Sequence, residues 1–296
     1  MNLIQKFFSH KTRRRAAPYL FLLPFIVLFT TFWAGPIISS MYLSLTRWNG
    51  LRPPQFIGFE NYARLFSDPV FQKALQNTLI GAVVYDVLLV LMALALALVL
   101  HLPFLRWKSF FRGVSILPVT MSLAVVAFVF QLIYSAQGGL LNQLLGLVGA
   151  PPRNWLGDPN IALGSIIGLR LWRAVGYYAI ILLAGLQNIP EELSEAAWID
   201  GANWFQTTWH VTIPLLRPVL AFVIVTSTIW ALQLFDEPWL LTQGGPLDAT
   251  KTVVIYLYQN SFRFLTLGYG AAISYILTLV IIAISVIQLR LTMTRD

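Results

Sequence analysis

The sequence has no cysteine, which excludes disulfides, zinc–thiolate sites and thiol catalysis. Charge is scarce as well: Asp, Glu, Lys and Arg make up 11% of 296 residues, whereas a soluble domain carries about 25%. No G-x-x-x-x-G-K-[ST] stretch occurs, so the chain has no Walker cradle for a nucleotide. Histidine occurs as His10, His101 and His210, each at the edge of an apolar segment, and no His/Asp/Glu set has metal-ligand spacing. No nucleophile motif is visible. If this chain moves a solute against a gradient, the energy comes from elsewhere.

What the sequence has in quantity is apolar length. It is 57% hydrophobic, with a mean hydropathy of +0.71, and it contains several runs long enough to cross a bilayer. The pattern predicts an all-α polytopic membrane protein with six spans, at about 18–45, 77–102, 110–134, 161–186, 215–241 and 269–291. Residues 1–16 form a basic arm containing Lys6, Lys11, Arg13, Arg14 and Arg15. The following run is too long for a signal peptide and lacks a small-residue cleavage site, so it reads as an uncleaved first span. Pro24 and the Gly35–Pro36 pair predict a kink there. Residues 46–76 read as an external segment of short amphipathic helical pieces. Residues 135–160 form a second external segment, with an interfacial helix in GGLLNQLLGLVG.

An even number of spans places both ends on one side. Lys and Arg number eleven on the side of the ends and seven on the other, and the flanks of the first span are steeply asymmetric. The positive-inside rule then makes both termini cytoplasmic. The net charge of +8 reads as this orientation signal, not as a nucleic-acid surface.

One polar stretch lies between two spans on the cytoplasmic side: NIPEELSEAAWIDGANWFQTTWHVTIP, residues 188–214, without any Lys or Arg. Its punctuation predicts a helix–turn–helix. Asn188 is the predicted cap, with Pro190 in the first turn and Glu191 and Glu192 at the positive end of the helix dipole. Gly201 is the predicted left-handed stop, Asn203 the second cap, and Pro214 the return to the membrane.

The same stretch resembles the EAA loop of bacterial ABC importer permeases, the binding-protein-dependent inner-membrane components. The spaced pattern stands here as Glu195, Ala196, Ala197, then Asp200–Gly201, then Val211, Ile213 and Pro214. A GFENY segment after the first span and L-T-Q-G-G-P from Leu241 to Pro246 are also similar to the family. The resemblance implies the type I ABC importer permease fold in a bacterial inner membrane. Residues 188–214 become the coupling loop that docks on a separate ATPase. No cofactor is implied for this chain, since ATP and Mg belong to the ATPase dimer. The implied partners are a second, similar permease, an extracytoplasmic solute-binding protein, a sugar substrate and membrane lipid. The sugar-permease branch is the one resembled, with glycerol-phosphate or another small polar solute as the alternative within it.

Ionisable groups inside spans usually face a cavity or a partner. Asp86, Arg170, Arg173, Asp236 and Glu237 qualify. Ion pairing of Asp86 with Arg170 or Arg173 is one reading, and substrate contact by Arg173 and Asp236 the other. A pyranose ring suits an aromatic platform beside bidentate polar groups. Trp172, Arg173 and Tyr177 in the fourth span offer these, as do Ser227, Trp230, Gln233 and Asp236 at three-to-four spacing in the fifth. By the resemblance, Tyr177 and Ser227 match sugar-lining positions of maltose-type permeases, while other such positions are apolar here, so the same sugar does not follow. An ion-coupled secondary transporter using Asp86 or Asp236 is a rival reading, as is a membrane enzyme, for which no catalytic constellation can be assembled.

Overall fold

The computed structural model describes residues 10–102 and 105–293, with side-chain surroundings defined from residue 18 to residue 292. Helix α1 (His10–Phe29) passes through a π turn, Thr30–Ala34, into α2 (Gly35–Ser44). Pro36 has no N–H and crowds the turn before it. The widened turn, in which the Gly35 N–H bonds to the Thr30 carbonyl, accommodates the ring without breaking the helix. A two-residue pairing of β1 (Thr46–Arg47) with β2 (Gln55–Phe56) follows, then α3 (Glu60–Ser67) and α4 (Pro69–His101). Asp68 caps α4 by accepting from the Val70 and Phe71 N–H groups at 2.9 and 3.3 Å, with Pro69 in the first turn. The helix therefore starts well before the apolar run at Asn77, because capping chemistry sets its end and hydropathy does not.

The third predicted span is two helices, α5 (Lys108–Thr120) and α6 (Leu123–Ile133), meeting at 94°. Met121 and Ser122 are extended between them. Helix α7 (Leu140–Leu147) falls in the predicted GGLLNQLLGLVG segment, and α8 (Ala162–Gln187) in the fourth predicted span. Then come α9 (Glu191–Ile199) and α10 (Trp204–Thr207), a second π turn at Thr208–Thr212, and α11 (Ile213–Leu232). Pro214 stands in the first turn of α11, and the π turn before it has the same cause as the one before Pro36. Helicity runs unbroken from Trp204 to Leu232, so Pro214 does not mark a fresh start. The fifth predicted span also divides: α11 ends at Leu232, and α12 (Asp236–Thr242) begins after a short break. Helices α13 (Val253–Tyr258) and α14 (Leu267–Met293) close the chain. Among the described residues five helices are long and apolar enough to cross a membrane, or six if the bent α5–α6 pair is one crossing.

Two compact units emerge. The first holds the described residues up to Arg64 together with Asn260–Tyr275. Its turn is held by Asn61, whose side-chain amide donates to the Ser44 and Thr46 carbonyls at 2.8 and 2.9 Å. The Arg64 guanidinium lies 4.4 Å from the Tyr269 ring centre.

The second unit, Leu65–Gln259 with Ile276 onward, packs around α4 and α8. Leu89, Ala93 and Ala97 meet a face carrying Ala179, Leu182 and Leu186, all essentially buried. Small residues let helices approach closely where water supplies no drive to associate. The tightest approach is at Gly176 of α8, where an added Cβ would sit 1.7 Å from the Ser115 carbonyl oxygen of α5. That neighbour is backbone and cannot rotate away. On the α11 side, a Cβ at Gly185 would meet Leu216 at 2.7 Å and Val219 at 2.9 Å.

Gly176→Val should therefore lower the thermal unfolding midpoint of the detergent-purified protein by several degrees, overpacking costing about 1–3 kcal/mol or more. Gly164→Ala, on the same helix with nothing near the new methyl, should raise the midpoint or leave it unchanged. Equal behaviour of the two variants would contradict the close α5–α8 crossing.

Candidate functional site

The break between α11 and α12 exposes helix-end carbonyls and a helix-start carboxylate in the middle of the second unit. Two groups from outside hold it. Arg170 of α8 donates through Nη2 to the Trp230 carbonyl at 2.7 Å, and its Nε lies 4.0 Å from Glu237 Oε1 in the first turn of α12. The same guanidinium sits 4.4 Å from the Tyr85 ring centre on α4. The Thr252 hydroxyl donates to the Leu234 carbonyl at 2.6 Å. Arg170 and Glu237 are buried at 8% and 7% exposure. The guanidinium joins α8 and α4 to the break between α11 and α12, and the pairing leaves neither charge alone in a low-dielectric interior.

At the break lies a cavity of about 480 Å³, within the common range for small-molecule sites of about 300–1,000 Å³. Of the predicted path, Arg173 and Tyr177 of α8, Trp230 of α11, Gln233 in the break and Asp236 of α12 line it together. Arg173 brings a buried Nε without a hydrogen-bond partner. Two predicted residues lie elsewhere. Ser227 is fully buried and donates to the Ile224 carbonyl at 3.1 Å, and Trp172 packs on Phe130 with ring centres 5.3 Å apart. The expected single face from Ser227 to Asp236 does not exist, because the helix ends between them. Tyr85, Arg170 and Glu237 also line the cavity. Tyr85 was missed, although a polar ring beside an intramembrane aspartate was a usable signal.

Asp86 pairs with neither arginine. Its Oδ2 accepts from the Thr228 hydroxyl at 2.7 Å, and the Gln288 amide donates to that hydroxyl at 2.8 Å. These groups line a separate, mostly apolar groove of about 430 Å³.

The 188–214 stretch is a defined local structure. Asn188 ends α8 and is not the cap of α9; its amide donates to the Ala184 carbonyl at 3.0 Å, and Pro190 takes the N-cap place. Helix α9 terminates with the Ala202 N–H on the Ala197 carbonyl at 2.9 Å and the Gly201 N–H on the Trp198 carbonyl at 3.0 Å. Gly201 has φ +85°, the left-handed value that this closure requires. Asn203 and Gln206 then exchange bonds at 2.8 and 2.9 Å in a reciprocal capping box that starts α10. Glu195 and Ala196 are exposed and Ala197 partly so. Beside them stand exposed apolar groups, with Trp198 at 51%, Ile199 at 86% and Phe205 at 67%. An acidic helix with bare alanines and exposed aromatics is a surface suited to a protein partner.

Long apolar helices, a broken helix beside a polar cavity and a folded loop between two of them define a helical membrane protein, and solved structures share its fold. A bacterial alginate ABC transporter, solved in complex with an alginate pentasaccharide-bound periplasmic protein, superposes with a TM-score of 0.85 over 97% of this chain and 98% of that one, at 23% identity. By sequence, residues 90–292 match the binding-protein-dependent transport system inner membrane component family, and the chain belongs to it. The lactose transport system permease protein LacF of Rhizobium radiobacter is 41% identical over 275 residues, 91% of this chain and 92% of that protein. The arabinooligosaccharides transport system permease protein AraP of Bacillus subtilis is 36% identical over 283 residues, covering 94% and 89%. The trehalose/maltose transport system permease protein MalF of Thermococcus litoralis is 32% identical over 281 residues, covering 95% of each. The chain is thus a multi-pass inner-membrane permease component and not the hydrolysing subunit. This membership sets the ion-coupled alternative aside.

Removing one partner of the buried pair should be costly. Arg170→Met is expected to destabilise the purified protein by about 3–5 kcal/mol, because Glu237 is left buried and unmatched. Arg170→Met with Glu237→Leu should recover much of that loss. Chemical or thermal denaturation of the three proteins measures the coupling.

Proposed function

We propose that this chain is a permease subunit of an ATP-driven sugar importer, passing its substrate by alternating access through the cavity between α8 and the α11–α12 break. Support for the sugar comes from the named substrates of LacF, AraP and MalF, each similar to this chain along nearly its whole length. The cavity suits that cargo. The Trp230 and Tyr177 rings offer apolar faces for ring C–H groups, and Arg173, Gln233 and Asp236 offer a hydrogen-bonding rim.

In this reading the termini and residues 188–214 are cytoplasmic, and Glu195, Ala196, Ala197, Asp200, Gly201 and Pro214 form the coupling element. A separate ATPase dimer, binding ATP and Mg, docks on α9. A second, similar permease completes the passage, and a solute-binding protein delivers the sugar from outside. The observation that carries the coupling is the closure of α9 at Gly201 followed at once by the Asn203 cap and a helix continuous into the membrane to Leu232. A push on α9 is thereby transmitted directly to α11, whose far end is the cavity wall.

Glu195→Lys or Gly201→Asp should leave the protein in the membrane at near-normal amounts, yet reduce energised uptake by at least about tenfold, a loss of roughly 1.4 kcal/mol or more in coupling. Substrate-stimulated ATP hydrolysis in the reconstituted complex should fall in parallel. Normal uptake from both variants would sink the proposal.

A further inference from the structure

Four acidic or basic side chains line the cavity: Arg170, Arg173, Asp236 and Glu237. Arg170 and Glu237 are committed to each other at 4.0 Å and to the helix break. Arg173 and Asp236 form no ion pair among the described residues, and the Arg173 Nε is buried without an acceptor. The wall therefore presents one free cation and one free anion, and its four charges sum to zero.

Sugar hydroxyls answer both groups, since each can donate to the Asp236 carboxylate and accept from the Arg173 guanidinium. On a ring bearing a carboxylate or sulfonate, the charged group itself answers only Arg173, since it has no proton to donate to Asp236. Its own charge then stands in a partly dehydrated cavity beside Asp236, where like charges repel more strongly than in water. Tyr177 and Trp230 add no charge that could compensate.

We propose that this cavity selects an uncharged saccharide and discriminates against acidic ones, with Arg173 and Asp236 as the specificity-determining pair. The inference rests on the saccharide reading above and adds the charge class of the ligand.

The test uses the permease–ATPase complex purified without its soluble binding protein, in lipid nanodiscs. Equilibrium binding is measured calorimetrically for lactose, maltose, cellobiose and galactobiose, and for digalacturonate as the acidic counterpart of galactobiose. The wild type should bind at least one neutral disaccharide about tenfold or more tightly than digalacturonate. Asp236→Asn should narrow that gap by relieving the repulsion, and Arg173→Gln should widen it. Thermal unfolding of each variant separates a specificity change from a folding defect, and Arg173→Lys retains the charge if Arg173→Gln proves unstable. Digalacturonate binding as tightly as the neutral sugars, or a gap that Asp236→Asn leaves unchanged, overturns the charge-class inference alone. Binding of none of these sugars by the wild type overturns the saccharide reading itself.

Discussion

The Arg170 guanidinium is the contact on which the second compact unit depends. One planar group closes the end of α11 through a carbonyl, matches a carboxylate at the start of α12, and lies against the Tyr85 ring on α4. A helix interrupted inside a membrane leaves backbone groups that lipid cannot satisfy. Arginine suits this place because it stays charged and offers several donors in a fixed plane. The gap it stabilises is the same gap that opens the cavity, so the stability of the fold and the existence of a polar chamber have one cause.

Proline and backbone geometry divide the remaining work. At Pro36 and Pro214 a π turn absorbs the ring and the helix continues. Between α5 and α6, two extended residues turn the chain through 94°. The first arrangement keeps α10 and α11 a single rod from the loop to the cavity. The second folds one predicted crossing into two pieces, one of which reaches Gly176 of α8.

How much of this was legible depends on the scale of the signal. Hydropathy located the long helices but not their ends. The α4 start is written in Asp68 and Pro69, which hydropathy ignores, and the breaks at Met121–Ser122 and Gln233–Phe235 carry no strong local mark. Turn chemistry was legible at Gly201 and Asn203, because only a few residue types serve there. At Asn188 the same logic misled: a residue that can begin one helix sits closer to the end of another. The cavity was visible for Arg173, Tyr177, Trp230, Gln233 and Asp236 as polar or aromatic groups in apolar surroundings. Ser227 lies outside the lining, its hydroxyl satisfied on its own helix. The partner expected for Arg170 or Arg173 was Asp86, and the structure gives Arg170 to Glu237 instead, because span order carries no distances and Asp86 meets Thr228 in three dimensions.

The crossing of α5 and α8 at Gly176 has a mechanical corollary. Where main chain rests on main chain with no side chain between, there is no rotamer to flip and no gap to compress. Helices α5 and α8 are therefore coupled as one body at that crossing, and a displacement of either is passed to the other undamped.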